Sequence, residues 1–251
     1  RVETVSSLLG QEGGQLRFSM ELNENAYSSG AHVAAGDRWL TLASIEDGGS
    51  YFEDYPEFEL RAYPDVYDLD GDGKPDIVCG SSDGRLYFYR GLGYKSRLLT
   101  EEAAPLTDSE GRQLSVSGYS APVVCDFDGD GEADILCGAQ DGKVYLFRGL
   151  GELTFEAGVV VADTGIEGQV FPDWGDLNGD GVDDLVCGSN SGKLLVLYGT
   201  ESGLPESGFT ELSVFGVDGD WLCPRIYDIN GDGIQDLLLG TFDGYVAKLL
   251  N

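Results

Sequence analysis

Short apolar runs, each entered from an aspartate and closed by a glycine, recur at wide intervals. They are Asp76-Ile-Val-Cys-Gly80, Asp134-Ile-Leu-Cys-Gly138, Asp184-Leu-Val-Cys-Gly188 and Asp236-Leu-Leu-Leu-Gly240. Runs this brief, partly β-branched and without a polar face, read as strands buried on both sides. A second apolar run follows each after a turn rich in Asp, Ser and Gly: Arg85–Arg90, Lys143–Arg148, Lys193–Tyr198 and Tyr245–Leu250. Glycine-rich two-residue turns favour tight hairpins, so the two runs pair antiparallel. Ahead of each lies a third short run with a proline near its start, at Pro64, Pro122, Pro172 and Pro224. Proline cannot donate to a ladder and belongs at a strand's first residues or on an edge. In the first repeat the pattern predicts strands over 63–67, 77–79, 85–90 and 96–100. The segments 101–119 and 200–218, rich in Glu, Ser, Gly and Pro, read as peripheral loops.

After the proline-bearing run of every repeat stands a thirteen-residue unit that ends in the buried run, Asp68 to Gly80, Asp126 to Gly138, Asp176 to Gly188 and Asp228 to Gly240. The starts are 58, 50 and 52 residues apart, a period that marks a repeat architecture. Acidic or amide side chains occupy loop positions one, three, five and nine, and glycines positions four and six. That spacing suits calcium, which takes six to eight oxygen ligands at a tight glycine-rich turn. The side-chain ligands expected are Asp68, Asp70, Asp72 and Asp76; Asp126, Asp128, Asp130 and Asp134; Asp176, Asn178, Asp180 and Asp184; and Asp228, Asn230, Asp232 and Asp236. The main-chain carbonyls of Lys74, Glu132, Val182 and Ile234 join them at position seven. Asparagine at position three drops one charge, so the third and fourth sites are expected to be weaker. One Asp/Gly turn of this kind is commonly only a solvated loop, but four copies in register crowd carboxylates that repel strongly without a cation.

The unit looks like the first half of an EF-hand, yet position twelve, where a bidentate Glu is needed, holds Cys79, Cys137, Cys187 and Leu239. The Asp-x-Asp-Gly-Asp-Gly-x-x-Asp loop, hydrophobic strand and glycine instead resemble the FG-GAP or VCBS repeat, the calcium-bearing blade of integrin α-subunit propellers and of many bacterial surface proteins. The resemblance covers residues 61–251. It implies an all-β propeller of four-stranded antiparallel blades holding about four calcium ions.

The expected architecture is one propeller domain over residues 1–251, with motif blades starting near 63, 121, 171 and 223. Residues 31–62 carry the blade pattern with the metal loop cut out and read as a degenerate first blade, making five. The last repeat stops at its third strand, and residues 16–22 are expected to supply the fourth and close the ring. FG-GAP propellers more often have seven or eight blades. The start at Arg1 reads as a mature or excised chain, expected to be monomeric or part of a larger chain.

Composition narrows the function. Of 45 carboxylates 14 are expected side-chain ligands of the four loops, and the net charge of −30 would fall to about −22 with four calcium ions. Neither nucleic acid nor an anionic membrane suits such a chain, since both need a basic face. No run approaches a membrane span. Five cysteines do not make a disulfide framework, and Cys79, Cys137 and Cys187, at one strand position, read as packing residues. Sites of this kind point to an exported protein, extracellular or on a cell surface.

An enzyme needs convergent acid, base or nucleophile groups. The single histidine is His32, and no nucleophile elbow or histidine pair is present. The leading reading is a non-catalytic recognition or adhesion propeller for a glycan or protein. The alternatives are a polysaccharide-active lyase or hydrolase, since some lyase propellers resemble the repeat, and a structural spacer. Aromatic residues on links and turns at the end of the blades away from the metal loops, Tyr63, Tyr119, Phe171, Trp221 and Phe242, form the candidate recognition face, because flat apolar rings suit sugars or protein loops. The same aromatics could equally plug the channel.

Overall fold

The structure is a computed structural model that describes residues 32–35, 38–41, 63–94, 98–213, 220–242 and 246–249. The described residues are all-β, and none forms a helix that could cross a membrane. Four antiparallel sheets stand in a ring as a four-bladed β-propeller. In the first blade Tyr63–Tyr67 pairs with Asp76–Gly80, then Leu86–Tyr89, then Ala104–Pro105. The second blade runs Ala121–Cys125, Asp134–Gly138, Lys143–Phe147 and Val159–Asp163. The third runs Val170–Gly175, Asp184–Ser189, Leu194–Leu197 and Thr210–Glu211. The fourth has three described strands, Cys223–Tyr227, Asp236–Gly240 and Val246–Leu249.

Each metal-loop copy therefore builds one blade, and the described blades number four. Of the expected degenerate blade over 31–62, the described part is a hairpin pairing His32–Ala35 with Arg38–Thr41. The remainder of that blade and the closing strand at 16–22 lie outside the described residues.

The inner three strands of each motif blade match the expectation, and the outer strand expected at 96–100 in the first blade does not. Leu98–Thr100 pairs with Gly91–Tyr94 in a separate hairpin, while Ala104–Pro105 takes the outer place in the first blade. Thr210–Glu211 does the same in the third. Both fall inside segments read as peripheral loops. An outer strand of two residues has no room for an alternating pattern, so its residues look like loop. Thr107–Asp108 reaches across to pair in parallel with Thr154–Phe155, joining the first blade to the second.

The core lies between blades rather than in a single central mass. Val78, Leu86 and Phe88 of the first blade pack with Val124, Ile135 and Phe147 of the second. Leu136, Val144 and Leu146 pack with Leu185, Leu195 and Leu197 of the third, and Val186, Leu194 and Val196 with Leu237 and Leu239 of the fourth. A sheet covered on both faces needs apolar residues at successive positions, which is why Asp134–Gly138 and Asp184–Ser189 are buried throughout.

Two pieces of the motif lock neighbouring blades. A Cβ on Gly80, Gly138 or Gly188 would lie 2.0, 2.2 or 1.9 Å from the carbonyl oxygen of Ser120, Val170 or Leu222 in the link entering the next blade. It would also press on the ring of Pro122, Pro172 or Pro224. The closing glycine of one repeat and the proline of the next are thus two halves of one contact. Buried aspartates add a second lock: Asp65 Oδ2 accepts from the Val124 N–H at 2.7 Å, and Asp173 Oδ2 from the Ile226 N–H at 2.5 Å. Arg225 Nη1 stands 3.6 Å from Asp173 Oδ1.

Candidate metal centres and axial aromatic face

The Asp loops close on a shared plan, the first without the bond from its position-four glycine. The position-one carboxylate gathers main-chain N–H groups around itself: Asp126 accepts from Gly129 at 2.8 Å and Gly131 at 3.1 Å, and Asp176 and Asp228 accept from the glycines three and five residues on. Glycines four and six are left-handed in every copy, from Gly71 (φ 70°) and Gly73 (φ 84°) to Gly231 (φ 76°) and Gly233 (φ 90°). A Cβ on Gly71 or Gly73 would meet nothing within 4 Å, so the backbone conformation, rather than space, demands glycine there.

Position nine is a latch. Asp76, Asp134, Asp184 and Asp236 are all buried and accept through Oδ2 from the N–H of position two, Leu69, Phe127, Leu177 and Ile229. In the first three copies Oδ1 accepts from the glycine after the third strand: Gly91 at 2.6 Å, Gly149 at 2.7 Å and Gly199 at 2.9 Å. Burial, reinforced by carboxylates at positions three and five, pushes the Asp134 carboxyl above its ordinary range, and burial does the same for Asp76 and Asp184. A nearby cation would act in the opposite sense.

Whether these residues fit calcium can be judged on the loop itself. Carboxylate oxygens of Asp68, Asp70 and Asp76 lie within 4.8 Å of one another, as do those of Asp126, Asp128 and Asp130. Asp68 Oδ1 is buried and accepts no hydrogen bond, an oxygen available to a cation. The donors are all oxygen, as a hard cation requires. In the first two loops positions one and three, with position nine in the first and position five in the second, therefore fit, and position nine does structural work as well. Lys74, Glu132, Val182 and Ile234 donate their N–H groups to the position-five carboxylates at 2.8 to 2.9 Å.

Residues that the sequence reading passed over stand beside these loops. Arg90 Nη1 makes a short ion pair with Asp70 Oδ2, and Arg148 Nε lies 3.1 Å from Asp128 Oδ2. Both arginines directly follow the third strand, immediately before the latched glycine. The legible signal was the Arg-Gly pair present in the first and second repeats alone.

At the other end of the inner strands the five candidate aromatics meet unequally. Tyr63 and Phe171 are each 3 % exposed and pack at 5.2 Å between ring centroids. Phe171 meets Trp221 at 5.7 Å, and Trp221 meets Phe242 at 6.5 Å. Tyr119 joins the cluster half-buried, and Phe242 is 58 % exposed. Trp221 holds a left-handed backbone (φ 58°), which a bulky residue adopts only at a cost.

No curated protein matches the chain. Among solved structures, a lectin of Agrocybe aegerita, described as specifically recognising non-reducing terminal N-acetylglucosamine, is 21% identical with a TM-score of 0.46. The match covers 76% of this chain and 49% of that one, so the chain spans about half of that protein's length. The FG-GAP-like repeat matches three times, over residues 68–137, 126–187 and 176–239, which together take in more than half of the chain and all four Asp loops. The chain belongs to the FG-GAP-like repeat family.

Proposed function

We propose that this chain is a non-catalytic recognition propeller, stabilised by about four calcium ions, that works outside the cell and binds a glycan or a protein through its axial aromatic face. The observation that carries the reading is the graded aromatic row. Tyr63 and Phe171 form a buried floor, Trp221 is held over it in a left-handed conformation, and Phe242 opens to solvent. Buried aromatic footing with exposed rings above it offers flat apolar area already ordered, and little further ordering is then needed on binding. The calcium loops sit at the opposite ends of the inner strands, since Tyr63 pairs with Gly80 while Tyr67 pairs with Asp76. Their role in this reading is to hold the blades, because a cation that binds only the folded form stabilises it by mass action.

The test is a glycan-array and protein-ligand screen with the calcium-loaded chain, repeated with Trp221→Ala and Phe242→Ala, alongside melting curves in calcium and in excess chelator. A ligand lost with either substitution supports the face, and a lower melting temperature in chelator supports the calcium role. A ligand indifferent to both variants moves the site, and identical melting curves remove calcium from the account.

A further inference from the structure

The third position of the metal loop and the residue that follows the third strand in sequence vary together within this one chain. Where position three is Asp, at Asp70 and Asp128, that residue is Arg90 and Arg148; where it is Asn, at Asn178 and Asn230, the same sequence place holds Tyr198 and Leu250. In the first two blades the structure joins the pair, with Asp70 Oδ2 on Arg90 and Asp128 Oδ2 on Arg148. In the other two, the outer atom of position three is satisfied inside the loop. Asn178 Nδ2 donates to Asp180 Oδ2 at 3.0 Å, and Asn230 Nδ2 to Asp232 Oδ2 at 2.9 Å. In the first, third and fourth copies the inner oxygen of position three accepts from the N–H of position five, at 3.1 Å for Asp70, 2.9 Å for Asn178 and 2.8 Å for Asn230.

We propose that Arg90 and Arg148 are positioning residues of the metal centres: each fixes the position-three carboxylate and cancels its charge, so the Asp-type and Asn-type loops offer a cation the same oxygen at matched net charge. The inference rests on the calcium reading above and sharpens it. Counting positions one, three, five and nine with the partner arginine, each loop carries three net negative charges, four minus one in the Asp copies and three in the Asn copies. On the sequence alone the Asn copies were expected to be weaker; with the arginines included, the third and fourth sites bind comparably to the second. The first copy carries one more cation, Lys74, 2.6 Å from Asp72, so the second blade is the cleaner place to measure the effect.

The experiment is a double-substitution cycle in the full chain, Asp128→Asn, Arg148→Tyr and both together, the last giving the second loop the pairing of the third. Calcium binding is followed by titration calorimetry, which reads how many of the sites remain tight, and unfolding is followed in chelator. Asp128→Asn leaves an arginine unopposed beside the loop and should weaken one site by about tenfold or more, the scale of a unit charge a few ångströms from a divalent ion near a protein surface. The double variant should bring that site back to within about threefold of wild type, as charge matching requires. In chelator, Arg148→Tyr should lower the melting temperature more than the double variant does, because only the single change leaves Asp128 uncompensated. A double variant no better than Asp128→Asn overturns the proposal, as does an Arg148→Tyr protein with unchanged binding and unchanged melting. A wild-type chain that takes up no calcium removes the metal reading as well, whereas calcium uptake with additive effects removes the arginine role alone.

Discussion

Asp134 and Gly149, fifteen residues apart, are joined by a 2.7 Å hydrogen bond from the glycine N–H to the carboxylate, and that bond ties the end of the metal loop to the end of the third strand. The other oxygen of Asp134 holds Phe127 at 2.9 Å, so one buried side chain fixes both flanks of the loop. A Cβ on Gly149 would stand 2.4 Å from the Ala133 carbonyl oxygen. Asp134→Ala should therefore destabilise the fold by about 2–4 kcal/mol, the scale of two hydrogen bonds to one charged acceptor. Gly149→Ala should lower stability through the same joint. Urea unfolding of the two variants in chelator measures both effects without calcium.

The blade-to-blade contact predicts unequal effects at one motif position. Gly188→Ala puts a methyl group 1.9 Å from the Leu222 carbonyl oxygen, which is main chain and cannot rotate away. The cost should be about 3 kcal/mol or more, as for overpacking that moves backbone. A Cβ on Gly240, the equivalent residue of the last blade, comes no closer than 3.8 Å to the described residues, so Gly240→Ala should cost clearly less. Melting curves of the two variants side by side make the comparison.

Acid should release the bridge between the first two blades only below the ordinary carboxylate range. Main-chain and side-chain hydrogen bonds from Arg112, with one from the Glu110 N–H, hold the Asp108 carboxyl below its ordinary 3.8. A folded-state value lower than the unfolded one contributes stability above the unfolded value and loses it as pH falls through the folded value. The stability difference between wild type and Asp108→Asn should thus be steady at neutral pH and be lost as pH falls through the depressed folded value, below the ordinary 3.8. Amide exchange at Ser109, whose N–H donates to the Phe155 carbonyl at 2.9 Å, reports the opening of this bridge.

The cysteines should be chemically quiet in the native protein. All five are free thiols; Cys125, Cys137 and Cys187 are buried, and Cys79 and Cys223 half-buried. Burial pushes the Cys79 thiol up to about 12 and raises those of Cys137 and Cys187 as well. The thiolate is the reactive form, so a thiol reagent at mildly alkaline pH should modify these three only as fast as the protein unfolds. Denaturant should expose all five to rapid reaction. Fast native labelling of Cys137 or Cys187 would contradict the packing role.

The sequence by itself determined the repeating unit, because its constraints are local. Left-handed Gly129 and Gly131, the carboxylates they gather and the three-residue buried strand behind them are fixed by neighbours a few bonds away, and each leaves a mark at a fixed offset. The blade's inner three strands and the course of the Asp loop were legible for that reason. What required the tertiary structure was every relation between repeats and every element too short to carry a pattern. The two-residue outer strands at Ala104–Pro105 and Thr210–Glu211 owe their place to the edge they cover rather than to their own residues. Gly188 and Pro224 each read as local punctuation until the fold pressed them together. Asp134 looked like a ligand, and only the approach of Gly149 showed that it also latches the blade. Arg148 meets Asp128 because the third strand ends beside the Asp loop, a proximity that chain distance conceals and packing alone creates.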